Sequence, residues 1–393
     1  MSSIVTNIPA VQSDRGPVVT TVSLFILMPV ILAGLVSVRQ AVLFLIGGVI
    51  GMALYHGAFG FTGGWRRLVV EGRGRGVRAQ MLMIGLAAAA IIPIISAFAG
   101  HGIVGAIAPV GVSVVVGSAL FGFGMQIGGA CGSGTLFTVG GGSARMLITM
   151  TFFCIGALWG AADLPFWLSM PTLGPVDLGQ WLGVLPAVLL TLAVLALIAA
   201  VTLAIEKRRY GTVEGLRPTG QMRLDRLVHG PWSLVTAAVV LAAANIATVL
   251  VAGHPWSITY GYGLWAAKVA EALGFGVDHW RFFASGPNAL ALARPVLFDV
   301  TSVMNFGVIL GAALAAGLAG RFAPKVPIRP GSALAAVLGG LLMGYGARLS
   351  FGCNIGALFS GIASGSLHGW LWFLCAFLGS AAGVRARRVF GMS

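Results

Sequence analysis

Residues 117–138 read GSALFGFGMQIGGACGSGTLFT, and residues 339–360 read GGLLMGYGARLSFGCNIGALFS. Laid on each other without a gap, at an offset of 222 residues, they coincide at Gly117/Gly339, Gly122/Gly344, Gly124/Gly346, Cys131/Cys353, Gly134/Gly356, Leu136/Leu358 and Phe137/Phe359. With 59 glycines in the chain, glycine matches alone carry little weight. The shared Cys-x-x-Gly-x-Leu-Phe inside one ungapped block carries more. The chain reads as an internal duplication with a cysteine at the centre of each half.

Working outward, the same offset lays the apolar run 79–99 over 301–321 and the run 143–163 over 365–385. A weaker echo sets Gly60-Phe61 and Trp65-Arg66 against Gly274-Phe275 and Trp280-Arg281. The whole chain of 393 residues is 58% hydrophobic and only 9% charged, with a mean hydropathy of +0.96. A soluble domain carries about 25% charged residues. Runs such as 18–38 and 182–205 have the roughly 20 residues a helix needs to cross about 30 Å of hydrocarbon. The reading is an all-α, polytopic membrane protein of about 9–11 helices.

Spans are expected near 18–38, 40–58, 79–99, 110–127, 143–163, 182–205, 232–251, 298–319, 332–349 and 366–386. The first lacks a small-x-small exit and reads as a retained span rather than a cleaved signal. Residues 258–275 are ambiguous, because Lys268 and Glu271 share one helical face and charge within a span is costly. The division is a tail at 1–16, a first repeat at 17–205, a basic linker at 206–231 and a second repeat at 232–393.

A net charge of +14 would suggest nucleic acid in a soluble protein, but no basic surface interleaved with aromatics supports that. The basic residues instead gather in loops, where they set orientation. Residues 64–80 hold Arg66, Arg67, Arg73, Arg75 and Arg78, and residues 206–229 hold Lys207, Arg208, Arg209, Arg217, Arg223 and Arg226. Both are expected on the cytoplasmic side, with Asp163 and Asp177 opposite. Should 258–275 fail to cross, Arg321, Lys325, Arg329, Arg385, Arg387 and Arg388 join the cytoplasmic side, and the repeats are inverted. The charge rule favours that arrangement over parallel repeats.

The chemistry sits at the breaks. Gly128-Gly129-Ala130-Cys131-Gly132-Ser133-Gly134 interrupts a span, and a helix restarting there presents N–H groups without intrahelical partners. Its positive dipole end favours an anion. Gly352-Cys353-Asn354-Ile355-Gly356 repeats the device. Inverted repeats would bring the two breaks together near the bilayer midplane, where duplicated transporters place their substrate sites.

The competing reading is that the glycines are packing surfaces and the cysteines small hydrophobes. Recurrence in both halves favours a site at Cys131 and Cys353, whereas Cys154 and Cys375 read as packing. Gly132, Ser133, Gly134, Asn354 and Gly356 complete the candidate substrate site. Arg348 aligns with Gln126 and either binds an anion, pairs with Asp299 or snorkels. His56 and His368 read as structural. None of the four cysteines falls in a CxxC or Cys/His cluster, so neither a metal nor a cofactor is expected.

The run Gly344-Tyr345-Gly346-Ala347-Arg348-Leu349-Ser350-Phe351-Gly352-Cys353-Asn354-Ile355-Gly356-Ala357, followed by SGIASGSLHGWLW at 360–372, strongly resembles the YeeE/YedE family of bacterial inner-membrane proteins, nearest its YedE-like branch. Ala58-Phe59-Gly60-Phe61 with Trp65-Arg66-Arg67, and Phe298-Asp299 with Met304-Asn305-Phe306-Gly307, resemble further family features over roughly 40–390. The resemblance implies uptake of a small sulfur oxyanion, thiosulfate foremost, with Cys131 and Cys353 contacting it. It also implies a cytoplasmic sulfur-carrier partner of the TusA type. Some members carry another cysteine near the first glycine turn, where this chain has Gly57-Ala58-Phe59-Gly60. Related sulfur or selenium species therefore stay open, as does a membrane redox or persulfide-handling role for the same thiols. Against an enzyme, no acid/base pair stands near either cysteine in the sequence.

Overall fold

The computed structural model describes residues 13–216, 225–323 and 327–392. Arg217, Arg223 and Lys325 lie outside the described residues, as does most of the 1–16 tail. Among the described residues the chain is almost wholly helical; its strands are a short antiparallel pair, Pro109–Gly111 with Thr172–Pro175. Ten helical stretches are long and apolar enough to cross a membrane, and each expected span falls on one of them.

Local chemistry sets the helix ends. Ser37, Ser143, Ser233 and Asp299 each accept a backbone N–H from the first turn of the helix they precede, the usual role of an N-cap. Gly129, Gly211 and Gly253 close their helices in the left-handed conformation that a side chain resists. The Val184–Tyr210 helix runs past residue 205, with Lys207, Arg208 and Arg209 in its last turn.

The ambiguous segment becomes the Thr259–Ala272 helix of 14 residues. At 1.5 Å per residue it is about 21 Å long, too short for about 30 Å of hydrocarbon. Its charges turn aside: Lys268 Nζ donates to the carbonyls of Leu292 and Arg294 at 2.7 and 2.5 Å, and Glu271 accepts the Asp278 N–H at 3.1 Å.

Contacts between loops fix which helix ends lie together. At one end, Glu206 accepts from Arg73 at 3.0 Å, Arg78 at 2.8 Å and the N–H groups of Gly74 and Glu214, joining the two basic loops. His56 O accepts from Trp232 N, Gly141 O from Ala323 N, and Gly317 O from Asp14 N at the same end. Gly331 faces the backbone of Phe390 there, which brings in Arg329, Arg385, Arg387 and Arg388.

At the other end, Val104 N donates to Gly253 O, Leu178 N to Gly365 O, and Gln40 to Phe298 O. Arg39 reaches Ala252 O. Residues 253 and 298 thus share the end opposite the basic loops, and the segment between them returns without crossing.

The helices pack in exchanged pairs. Val112–Gly128 lies on Leu367–Ala386, and Pro330–Leu349 lies on Ala144–Leu168. Val38–His56 lies on Val300–Leu318, and Leu234–Ala252 lies on Arg75–Ala97. At the centre Val112–Gly128 and Pro330–Leu349 pack on each other.

Matched glycines make these crossings. A Cβ on Gly122 would overlap the carbonyl of Ala376, and one on Gly344 that of Phe153. Gly117 faces Gly346, and Gly124 faces Gly339, backbone to backbone. The weaker echo is not kept in space: Phe61 and Trp65 are fully buried, whereas Phe275 is 69% exposed.

Candidate functional site

The Val112–Gly128 helix ends at Gly129, whose φ of +90 lets the chain turn. Cys131 follows in extended conformation as the N-cap of the Gly132–Gly140 helix. The Pro330–Leu349 helix ends likewise, with Phe351 at φ +57 and Gly352 at φ +153 before extended Cys353. What restarts there differs: Asn354–Phe359 winds as a π-helix, the wider turn that recurs at functional sites.

The two breaks adjoin. A Cβ built on Gly132 would lie 3.0 Å from Cys353 Sγ. Both cysteines are buried, at 1% and 0% exposure. All four cysteines are free thiols, with Cys154 and Cys375 half-buried in helix interiors. Cys131 Sγ lies 3.5 Å from Ser133 Oγ, and Cys353 Sγ accepts the Ile355 N–H at 3.4 Å. The Gly132–Gly140 helix has no side-chain cap, so its first N–H groups stand free to meet a ligand.

Glycines expected at the site divide by what surrounds them. A Cβ on Gly134 would meet Ala130 Cβ at 3.0 Å and Cys131 Sγ at 3.4 Å, so a side chain there crowds the thiol. Gly356 is roomier, with Ser257 Oγ at 3.4 Å. Neither presses on a crossing helix, unlike Gly122 or Gly344.

Asn354 is fully buried beside Cys353, and neither its amide nitrogen nor its oxygen has a hydrogen-bond partner within the protein. Leaving such a group unsatisfied costs about 1–3 kcal/mol, so a ligand or water belongs there.

Sequence reasoning missed Tyr262. It is fully buried, donates to Gly132 O at 3.0 Å, and lies 2.8 Å from Thr135 Oγ1. Its ring packs edge-on to Phe153. It comes from the short Thr259–Ala272 helix, far from either cysteine in sequence. The small residues around it, Gly261 and Gly263, were its only signal.

Arg348 neither pairs with Asp299 nor snorkels. Asp299 caps its own helix, accepting from Ser302 N and Oγ at 2.7 and 2.6 Å. Among the described residues Arg348 has no carboxylate partner, and its Nε and Nη2 are buried without hydrogen bonds. Its guanidinium stands 4.5 Å from the centre of the Phe282 ring, a cation–π contact. It lines a cavity of about 210 Å³ with Ser257, Tyr260, Phe351 and Gly352, on the side of the breaks away from the basic loops.

The His56 ring packs tilted against Trp232 at 5.5 Å, and His368 Nδ1 sits 2.6 Å from Ser366 Oγ; both are buried in packing. Among the described residues no His, Cys, Asp and Glu group is placed to hold a metal ion.

Comparison with known proteins bears on this arrangement. The chain is 29% identical over 283 residues to the thiosulfate transporter TsuA of Spirochaeta thermophila, covering 68% of this chain and 74% of that one. It is 25% identical over 344 residues to TsuA of Escherichia coli, covering 85% and 90%. Against the probable transporter YedE of Escherichia coli it is 29% identical over 156 residues, 39% of this chain and 37% of the relative's length. The profile described as Sulphur transport matches residues 56–382, most of the chain and both cysteine breaks. The chain belongs to the sulphur transport family of multi-pass membrane proteins.

Proposed function

We propose that this protein takes up a small sulfur oxyanion, thiosulfate foremost, across the bacterial cytoplasmic membrane through the constriction between Cys131 and Cys353. The observation that carries the reading is the meeting of the two breaks, with Gly132 set against the Cys353 thiol. Names borne by relatives, thiosulfate transporter among them, point the same way.

In this reading the halves are inverted repeats. Support comes from the exchanged helix pairs and from a segment at 253–298 that starts and ends on one side. The basic loops face the cytoplasm, as the charge rule requires.

The ion enters at the Arg348 cavity, whose unpaired guanidinium supplies positive charge in a low-dielectric wall. It then meets Cys353, Asn354 and the free N–H groups of the Gly132–Gly140 helix, with Ser133 beside Cys131. Thiols are weak donors and soft partners for a terminal sulfur. Several weak contacts in series let an ion enter and still leave. Glycines 134 and 356 keep the passage free of side chains.

Gly57-Ala58-Phe59-Gly60 carries no thiol, so the passage works with the cysteines of its two breaks. A TusA-like carrier on the cytoplasmic side would receive the sulfur. The test is uptake of radiolabelled thiosulfate into cells lacking other importers. Uptake that depends on this gene is expected, and its absence would return the thiols to a redox or packing role.

A further inference from the structure

The basic end of the bundle holds a second cavity, of about 380 Å³, well separated in the fold from the Arg348 cavity. It is lined by Arg66, Arg67 and Arg75 and by the turn Gly57, Ala58, Phe59 and Gly60, and no carboxylate is among its lining residues.

The three arginines are not equivalent. Arg67 is committed, to Glu71 and Glu214 at 3.1 Å each. Arg66 and Arg75 have no carboxylate within 4 Å among the described residues, and the Nε of Arg75 is buried without a hydrogen-bond partner. Every other acid near this end is already engaged, Glu206 by Arg73 and Arg78.

The backbone adds donors. Gly60, Gly63 and Gly64 bring the start of the Phe61–Glu71 helix to the cavity wall, and that helix has no side-chain cap. Its first N–H groups and its dipole therefore favour an anion. A Cβ on Gly60 or Gly63 would touch nothing within 4 Å, so these glycines open onto free space rather than onto a neighbouring helix. Ala58, at φ +42, holds the turn in a conformation that side chains rarely adopt.

We propose that this cavity is a second oxyanion site, which holds a small divalent inorganic oxyanion on Arg66, Arg75 and the N–H groups that open the Phe61–Glu71 helix. It deepens the transport reading by giving the ion a station after the thiols, at the end where it leaves. Two guanidiniums without acid partners draw the ion past a constriction whose own donors are neutral. Because both lie near the surface, the hold is weak enough to release.

The same chemistry would accept a lipid phosphate, so the test separates the sources. Gly63→Cys places a thiol in the open cavity, and its alkylation by N-ethylmaleimide is followed on the peptide carrying residue 63. The protein is reconstituted in phosphatidylcholine alone or with phosphatidylglycerol. In phosphatidylcholine, sulfate is expected to slow alkylation at least threefold relative to chloride at matched ionic strength. Arg66→Gln with Arg75→Gln should abolish that protection, and Arg66→Lys with Arg75→Lys should retain part of it.

Protection by phosphatidylglycerol alone, with sulfate inert, would overturn the proposal, as would sulfate protection that survives the double Gln change. The double Gln variant should also lower the maximal rate of thiosulfate uptake about tenfold with KM unchanged. An unchanged maximal rate would remove the cavity from the path. A wild-type protein that shows sulfate protection but moves no thiosulfate would sink the transport reading and leave the site standing.

Discussion

Tyr262 donates its hydroxyl hydrogen bond to the carbonyl oxygen of Gly132 at 3.0 Å, which latches a helix that never crosses the bundle to the residue following Cys131. Thr135 Oγ1 closes the same triangle, 2.8 Å from the tyrosine oxygen and 2.7 Å from Gly132 O. The restart of the first broken helix is thus held from the opposite half of the chain.

Tyr262→Phe removes that latch without changing the volume of the ring. A lost buried hydrogen bond costs about 1–3 kcal/mol when its partner is left unpaired, and Thr135 still satisfies Gly132 O. The expected outcome is a small drop in melting temperature with at least a tenfold loss of thiosulfate uptake. Uptake at the wild-type rate would reduce Tyr262 to packing.

Cys131→Ala and Cys353→Ala should each abolish uptake at near-normal protein levels in the membrane. Cys154→Ala and Cys375→Ala should be mild, since both thiols are half-buried in helix interiors rather than set at a break. Uptake and membrane abundance measured together decide the matter, and full activity in either of the first pair removes that thiol from the path.

The matched glycines should separate into two behaviours. Gly122→Ala drives a methyl into the backbone of Ala376 and should lower thermal stability and expression. Gly134→Ala crowds Cys131 and should lose uptake with melting little changed. Gly356→Ala, with more room, should fall between wild type and Gly134→Ala. Equal loss of stability in all three variants would return every glycine to packing.

Reporters fused after Arg388 and inserted beside Phe275 should report opposite sides, the first cytoplasmic. The basis is the shared basic end of residues 331 and 390 and the shared opposite end of residues 253 and 298. A reporter after Arg388 found outside would end the inverted arrangement.

Arg348→Gln should raise the KM for thiosulfate about tenfold or more, because it removes the guanidinium that lines its cavity. Arg348→Lys keeps the charge but not the planar face on Phe282, and should recover part of the loss. An unchanged KM in both variants would place the ion's entry elsewhere.

Most of the fold was legible because crossing a bilayer demands long apolar runs, and every expected span falls on a helix. The cysteine breaks were legible because glycines flank a repeated cysteine. Tyr262 and the Arg348 cavity were not, since each depends on how the segment at 253–298 folds back against the thiols. Nor did the matched glycines reveal their roles by type: Gly122 and Gly134 sit in one motif, yet one touches a neighbouring backbone and the other a thiol. The weak echo at Gly274-Phe275 failed because short aromatic–glycine pairs recur by chance in a chain this rich in both.

Gly117 against Gly346, and Gly124 against Gly339, bring the backbones of the two central helices into direct contact, with only the Cβ atoms of Leu349 and Leu342 beside them. Such a joint has nothing compressible in it. Parting the surfaces by about 0.5–1 Å forfeits a quarter to a half of the dispersion well at each contact. The crossing therefore acts as a fixed post, and swinging one half about the other would tear it open. In the proposed transport cycle, passage of the ion would fall instead to what can move beside the post: two thiols, an asparagine amide and the first turns of the restarted helices. On the transport reading proposed above, a protein so built would work as a narrow gated pore with a rigid spine, its throughput set by local breathing at the breaks.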